Sequence, residues 1–325
     1  MALQSTYMGL ELKNPIVVSS SNLTSSIDGV EKAAQAGAGA VVLKSLFEEQ
    51  IAHETGQAGE DVDMGAHPEA AEYITEMGKQ LGPRGYLDLV AGAKAAVDIP
   101  VIASVNCTSP RWWVTYGRQL EEAGADALEL NIALMPTSAQ PSVEIEEYYT
   151  EIVREVKSET KLPVSVKIGP YFTSMTGMAR ALEDAGADAL VLFNRFYQLD
   201  IDVGHRTLTS GYQFSAPEEI HMALRWTSIL AGRLELDLAA STGVYTGQDV
   251  IKMLLAGSSA VQVCSTVYKN GHERIGQMIT EVEKWMDKQG LSDIASFAGS
   301  LSQANSKEPQ RYERLQYIKA LTGIS

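Results

Sequence analysis

The sequence has few of the features that mark secreted, membrane-spanning or nucleic-acid-binding proteins. Only two cysteines, Cys107 and Cys264, occur in 325 residues, so neither a disulfide framework nor an iron–sulfur cluster is expected. Acidic residues outnumber basic ones by 41 to 26, and the net charge of -15 argues against nucleic acid or an anionic membrane as a partner. No apolar run approaches the roughly 18 residues of a membrane span. The five histidines show no metal-ligand spacing.

The N-terminus lacks the basic start and the apolar run of a signal peptide, so none is expected. Together with the absences above, this favours a soluble cytoplasmic protein.

One short phrase occurs four times, at residues 36–44, 123–131, 185–193 and 256–264. Each copy begins with Ala-Gly and continues into an apolar run. Glycine is the residue that most readily takes the left-handed conformation that ends a helix. The apolar run is too continuous for a half-exposed strand and suits a parallel sheet covered on both faces. Each copy therefore predicts a helix end followed by a buried strand.

Four further strands are predicted between these copies, at residues 15–19, 100–105, 163–168 and 236–241. Helical spacing predicts the intervening helices at residues 27–36, 87–96, 112–123, 143–157, 176–185, 217–231, 247–255 and 272–289. Eight alternating units predict an α/β fold, a closed (β/α)8 TIM barrel with eight parallel strands. An open doubly wound sheet is the alternative, but its glycine-rich turn after the first strand is missing.

Two long connections, residues 47–82 and 195–216, are predicted as loops at the carboxyl ends of the strands. No shift in composition divides the chain, so residues 1–325 are predicted to form one domain. The tail, residues 298–325, is expected to pack as an extra helix outside the barrel or at a subunit contact.

Small and hydroxyl-bearing residues follow the last two strands. Thr242 and Gly243 follow the seventh, and Cys264, Ser265 and Thr266 follow the eighth. Such residues let the backbone approach a phosphate, which amide groups at a helix start bind. The pattern favours a phosphate-bearing ligand, with ordinary turn chemistry as the alternative.

Polar side chains stand at the predicted carboxyl ends of five strands: Lys44 with Ser45, Asn106, Asn131, Lys167 and Asn194. Lysine is seldom buried without a partner, so their convergence on one mouth favours a binding site. Hydrogen-bond donors together with one or two positive charges suit a flavin and its phosphate. A lysine near the flavin ring would stabilise the anionic reduced form. Arg195 follows directly and suits either an anionic substrate group or a salt bridge to a lid carboxylate.

These residues resemble the dihydroorotate dehydrogenase family over residues 6–290. The stretches that carry the resemblance are residues 9–15, 43–45, 128–131, 166–172, 242–249 and 261–265. The resemblance implies an FMN-binding barrel that oxidises dihydroorotate or a related small cyclic substrate in pyrimidine biosynthesis. Hydride would pass from the substrate to FMN.

The resemblance also implies roles for single residues. Lysines at the positions of Lys44 and Lys167 contact the flavin, and asparagines matching Asn131 and Asn194 hold the pyrimidine or the flavin edge. Ser19, Ser20 and Ser21 match the family's small residues beside the flavin ring. The residues that match the family's phosphate contacts are Thr242, Gly243, Cys264 and Ser265.

The loop after the fourth strand departs from the family pattern. In the family, this loop carries a cysteine or serine that removes a proton from the substrate carbon. Here no residue between Asn131 and Pro136 carries a thiol or hydroxyl, and apolar side chains cannot accept a proton. Thr137 and Ser138 are the nearest hydroxyls, although an alcohol needs help to act as a base. His53 and His67, in the long loop, are the other candidates.

Two other interpretations stay open. The apolar residues 133–135 favour a flavin-binding homologue without dehydrogenase activity on dihydroorotate. An aldolase-type barrel would instead use Lys167 or Lys44 as a Schiff base. The electron acceptor is expected to be a small molecule or a separate protein, and a homodimer is left open.

Overall fold

Parallel strands with helices between them form the body of the structure, a computed structural model. It describes residues 2–47, 50, 82–107, 113–134, 139–195, 198–211, 214–313, 318 and 321–323. An antiparallel hairpin of β1 (Ser5–Tyr7) and β2 (Leu10–Leu12) precedes the barrel. The strands that follow are β3 (Ile16–Val18), β4 (Ala40–Val42), β5 (Leu46–Phe47), β6 (Val101–Cys107), β7 (Ala127–Ile132), β8 (Val164–Ile168), β9 (Ala189–Leu192), β10 (Gln198–Asp202), β11 (Thr207–Gly211), β12 (Asp237–Ser241) and β13 (Ala260–Val263).

Eight of these strands close on themselves. The order is β3, β4, β6, β7, β8, β9, β12 and β13, and β13 pairs with β3 again. All of these pairings are parallel, and the short β5 adds to β6 beyond the ring. The predicted (β/α)8 barrel is confirmed.

Helices connect the strands and cover the outside of the barrel. They are α1 (Ile27–Gln35), α2 (Pro83–Ala96), α3 (Trp113–Glu122), α4 (Ser142–Glu159), α5 (Met175–Asp184), α6 (Ile220–Leu230), α7 (Gly247–Ala256), α8 (Ser265–Asn270) and α9 (Glu273–Gln289). Within the part of the chain that the structure describes, none of the helices is long and apolar enough to cross a membrane.

The four repeated phrases end their helices as predicted. Their glycines have φ angles of +101° at Gly37, +94° at Gly124, +100° at Gly186 and +113° at Gly257. A β-carbon is disfavoured at such angles, which is why glycine ends these helices.

The fifth residue of each phrase is an alanine that opens a strand: Ala40, Ala127, Ala189 and Ala260. All four are fully buried in one cluster with Tyr7, Met8 and Leu12 of the N-terminal hairpin. Because these alanines mark the amino ends of their strands, the hairpin closes that end of the barrel. Small side chains leave room for the large ones of the hairpin.

One sequence prediction differs from the structure. The connection over residues 195–216 contains the antiparallel hairpin β10–β11, in which Ile201 pairs with Leu208. Leu199, Ile201 and Val203 alternate with polar residues, which is the strand signal that the loop prediction missed. In the tail, residues 298–313 form turns and a 3-10 helix at Pro309–Tyr312, and the described residues 318, 321 and 322 are helical.

Gly39, just before β4, offers a test of the packing at the amino end. A β-carbon there would lie 2.0 Å from the carbonyl oxygen of Asn14, whose side chain is held by Gly37 and Ile16. Gly39→Ala should therefore destabilise the protein by about 3 kcal/mol, as overpacking does. Gly276→Ala in α9 is the control, since among the described residues its β-carbon would meet the oxygen of Ala36 at 3.5 Å and nothing closer. That change should stabilise by about 0.5–1 kcal/mol. Equal midpoints of urea unfolding would contradict the prediction.

Candidate functional site

The structure places the predicted polar residues at the carboxyl ends of the barrel strands. Asn106, Asn131 and Lys167 are the penultimate residues of β6, β7 and β8. The others lie within three residues of the ends of their strands: Ser19 to Ser21, Lys44 with Ser45, Asn194 with Arg195, Thr242 with Gly243, and Cys264 to Thr266. Strand parity explains the arrangement, because alternate residues of a barrel strand point inward.

Lys167 is the most buried charged residue among these groups, and a compact polar cluster holds it. Its side chain is 8% exposed. Its Nζ donates to Gln262 Oε1 at 2.9 Å and to Ser19 Oγ at 3.0 Å. Glu129 Oε1 lies 3.5 Å away, which is an ion-pair distance rather than a good hydrogen bond. Among the described residues, the ammonium thus has two short hydrogen bonds and one longer contact with a carboxylate.

The cluster extends below Lys167. Gln262 Nε2 donates to Glu129 Oε2 at 2.5 Å, and Ser19 Oγ donates to Gln262 Oε1 at 3.0 Å. Glu129 and Gln262 are each 1% exposed. We name Ser19, Glu129, Lys167 and Gln262 the lysine cluster. Its charges are paired and its polar atoms are bonded, as burial at this depth requires.

A polar cleft opens above the lysine cluster, on the side of the strands' carboxyl ends. We call it the mouth cleft. The predicted residues that it brings together are Ser19, Ser20, Lys167, Asn194, Arg195, Thr242, Gly243, Cys264 and Ser265. Lys44, Ser45, Asn106, Asn131, Ser21 and Thr266 lie at the same end of the barrel but do not line the cleft.

Two asparagines are joined across the mouth. Asn194 Nδ2 donates to Asn131 Oδ1 at 2.7 Å, and the Asn194 backbone N–H donates to Ile168 O at 2.8 Å. Among the described residues, this pairing leaves Asn131 Nδ2 and Asn194 Oδ1 for a ligand. One donor and one acceptor at a fixed separation are what an amide-containing ring recognises.

Three serine hydroxyls form a second chain of contacts. Ser45 Oγ lies 3.0 Å from Ser20 Oγ and 2.7 Å from Ser104 Oγ. Tyr86 OH anchors the chain, because it accepts from Ser104 N and donates to Ser104 O. This links the loop after β3 to the loop after β4, so Ser45 has a positioning role within the protein.

The loop after β12 lies close to the start of α6. Gly243 has a φ of +75°, and a β-carbon there would come within 2.3 Å of Ile220 N. Only glycine fits this approach. Ser265 Oγ accepts from Ser215 N at 3.1 Å. The hydroxyl of Thr266 instead contacts Asn270 and Tyr245, within the protein.

Arg195 forms a salt bridge with a carboxylate, which was one of the two roles that the sequence suggested for it. Its Nε lies 2.8 Å from Glu219 Oε2, and Glu219 Oε1 accepts from Ala216 N at 2.6 Å. Partial burial opposes ionisation of Glu219, but the hydrogen bonds from Arg195 and Ala216 outweigh it and lower the pKa of this carboxyl. Glu219 therefore stays ionised and holds Arg195 at the edge of the cleft.

Four predicted candidates fall outside the described residues: Thr137, Ser138, His53 and His67. Two residues of the lysine cluster, Glu129 and Gln262, were missed as site residues. The signal was present, since each is a polar residue in an apolar strand, two positions before a predicted site residue. Parity alone would have put both inside the barrel.

The fold and the mouth define a (β/α)8 barrel enzyme with its polar site at the carboxyl ends of the strands. The family model described as "Dihydroorotate dehydrogenase" matches residues 2–286. A "Dihydroorotate dehydrogenase B (NAD(+)), catalytic subunit" of Thermococcus kodakarensis is 30% identical over 305 residues, which cover 90% of this chain and 95% of the relative. The protein of the same name from Pyrococcus furiosus is 28% identical over 306 residues, with 92% and 98% covered.

The chain therefore belongs to the dihydroorotate dehydrogenase family. This confirms the predicted family and the predicted class, an oxidoreductase that acts on a CH–CH group.

Cys264 allows a test of the electrostatics of the cleft. Burial raises the pKa of its thiol, and a hydrogen bond with Ser21 and the charge of Lys167 oppose this only in part. Little thiolate should exist near neutral pH. In a Cys107→Ser variant, alkylation of Cys264 by iodoacetamide should rise about tenfold per pH unit from about pH 7 to 9. The same variant unfolded in urea is the control and should react faster at neutral pH. Equal rates in the two states would contradict the assignment.

Proposed function

We propose that this protein oxidises dihydroorotate, or a closely related small cyclic substrate, with FMN bound in the mouth cleft. The lysine cluster is the observation that supports this most strongly. It holds a charged donor at the floor of a polar cleft, beside a pair of asparagine amides. A cation aimed at a flavin is the means by which a protein stabilises the reduced ring.

The residues present fit FMN at both ends. For the ring, the cleft offers the ammonium of Lys167 and the hydroxyl of Ser20, with Lys44 at the same mouth. For the phosphate, it offers the backbone at Gly243 and the start of α8 at Ser265. Gly243 lines the cleft and packs closely against the backbone of Ile220, which holds the loop after β12 in place. When bound, FMN supplies the two-electron acceptor that receives hydride.

The residues of the chain would then have three separate roles, in stabilising the cofactor, orienting the substrate and attracting it. Lys167, and Lys44 with it, would stabilise negative charge on the cofactor. Asn131 and Asn194 would orient the substrate through the donor and the acceptor left by their mutual hydrogen bond. Arg195, held by Glu219, would attract an anionic substrate to the edge of the cleft.

Proton removal from the substrate carbon needs a group that the loop after β7 does not supply before Pro136. Ala133 and Leu134 are apolar, and Leu134 packs on the hydrophobic core. We propose Thr137 or Ser138 as the proton acceptor, with His53 and His67 as the other candidates. A hydroxyl in this role requires a partner that takes its proton.

The Schiff-base alternative is not favoured. The amine of Lys167 is instead held by Gln262 Oε1 and Ser19 Oγ and pairs with the carboxylate of Glu129. For the electron acceptor, we propose a separate protein, because the similar archaeal proteins are named as catalytic subunits of an NAD(+) enzyme.

The function is tested by spectroscopy on the full chain. The protein reconstituted with FMN should show a bound-flavin spectrum, and dihydroorotate added without oxygen should bleach it. Lys167→Met should bind FMN more weakly and bleach at least about tenfold more slowly, since it loses a charge at the cofactor. A flavin that stays oxidised with dihydroorotate would contradict the proposed substrate and support the homologue without this activity. A protein that takes up no FMN would contradict the proposed cofactor.

Asn194 tests the substrate role separately. Asn194→Ala removes the donor to Asn131 and an acceptor in the cleft, so kcat/KM for dihydroorotate should fall roughly 10- to 100-fold. The Kd for FMN should change much less. Asn305→Ala removes the same side chain in the tail, where its Nδ2 donates to Gly299 O, and should leave both values unchanged. A loss confined to FMN binding would assign Asn194 to the cofactor instead.

A further inference from the structure

The carboxylate of Glu129 is buried inside the barrel, one layer below the mouth cleft. It is 1% exposed and lies on β7, opposite Ser104 on one side and Ser165 on the other. Among the described residues, Lys167 is the one cation that contacts it. A carboxylate at this depth is costly unless a charge or hydrogen bonds compensate it. Its presence therefore needs a reason beyond filling space.

Glu129 orients Gln262. A carboxylate can only accept hydrogen bonds, so it fixes the amide of Gln262 with Nε2 towards Glu129, at 2.5 Å. The Oε1 of the same amide must then point towards the mouth cleft, where it accepts from Lys167 at 2.9 Å and from Ser19 at 3.0 Å. Through Gln262, Glu129 fixes the position of the ammonium as well as neutralising it.

Below Glu129, the described residues offer no cation, since Asp237, which accepts from Met8 N of the hairpin, is a further carboxyl. Tyr7 of the hairpin faces the same interior, and burial raises the pKa of its phenol far above the usual value, with the charge of Glu129 adding to the effect. Tyr7 therefore stays neutral. The negative charge of Glu129 is balanced from above only, by Lys167.

We propose that Glu129 is a positioning residue that acts through Lys167 and sets the reduction potential of the bound flavin. This rests on the proposed function, in which Lys167 faces the cofactor. Glu129 offsets part of the lysine charge that the ring experiences. The reduced, negatively charged ring is stabilised less than it would be by Lys167 alone, and the potential is held lower.

Glu129→Gln removes the charge and keeps the shape. The reduction potential of the bound flavin, measured by equilibration with reference dyes, should become more positive. Sulfite, which adds to the oxidised ring and also places negative charge on it, should bind roughly tenfold more tightly. Neither measurement uses the activity of the enzyme.

Two further variants separate this role from a structural one. Glu129→Asp keeps the charge and should restore most of the potential, even if it costs stability. Glu155→Gln removes one exposed carboxylate from the outer face of α4 and should change neither quantity. A potential in Glu129→Gln that is unchanged or more negative would overturn the proposal.

The outcome is distinguishable from failure of the proposed function. A wild-type chain that binds FMN and is reduced by dihydroorotate, with an unshifted Glu129→Gln potential, contradicts only the role of Glu129. A wild-type chain that takes up no FMN contradicts the proposed function and this inference together.

Discussion

The buried pairing of Lys167 with Glu129 is the constraint on which the carboxyl half of the barrel depends. Two charges can be buried in the interior of a barrel only when they are paired and hydrogen-bonded. Lys167 and Glu129 pair with each other, and Gln262 and Ser19 supply the remaining hydrogen bonds. These four residues come from β7, β8, β13 and the end of β3, so the cluster ties together strands from different parts of the ring. The register of each strand must hold for the cluster to form, because a slip by one residue would turn a charge toward the helices.

The side chains inside the barrel change from apolar to polar along the barrel axis, from the amino ends of the strands to their carboxyl ends. At the amino end, four strand-opening alanines make room for Tyr7 and Leu12 of the hairpin, and the packing there is apolar. One layer on, Glu129 and Gln262 replace apolar residues, and the mouth beyond them is polar. The closed end excludes water from below, so charges in the middle layer interact more strongly than they would in water. The apolar floor and the lysine cluster are thus parts of one electrostatic arrangement.

Most of the barrel could be predicted from sequence because a repeated local signal encodes it. The glycine of each phrase has to stop a helix and the run after it has to be a buried strand, and neither depends on distant contacts. The hairpin β10–β11 was missed although Leu199 and Ile201 alternate with polar residues, since a length of chain between a strand and a helix is equally compatible with a loop. At the site, strand-end residues such as Lys167 and Asn194 could be predicted, because parallel strands bring their carboxyl ends together. Glu129 was harder to recognise, since a carboxylate in an apolar strand has meaning only once its partner across the barrel is known.

The two halves of the proposed site are under different physical constraints, and the sequence diverges from the family pattern accordingly. The cofactor half is built from strand ends and from close backbone approaches such as Gly243 to Ile220, where a change would disturb the barrel itself. The substrate half depends on loops, which accept substitutions without affecting the strands. Loss of the thiol or hydroxyl in the loop after β7 leaves Asn131, the lysine cluster and the mouth cleft intact. A changed loop after β7 beside an intact lysine cluster is therefore what a barrel would show if its flavin chemistry were retained while its proton acceptor moved.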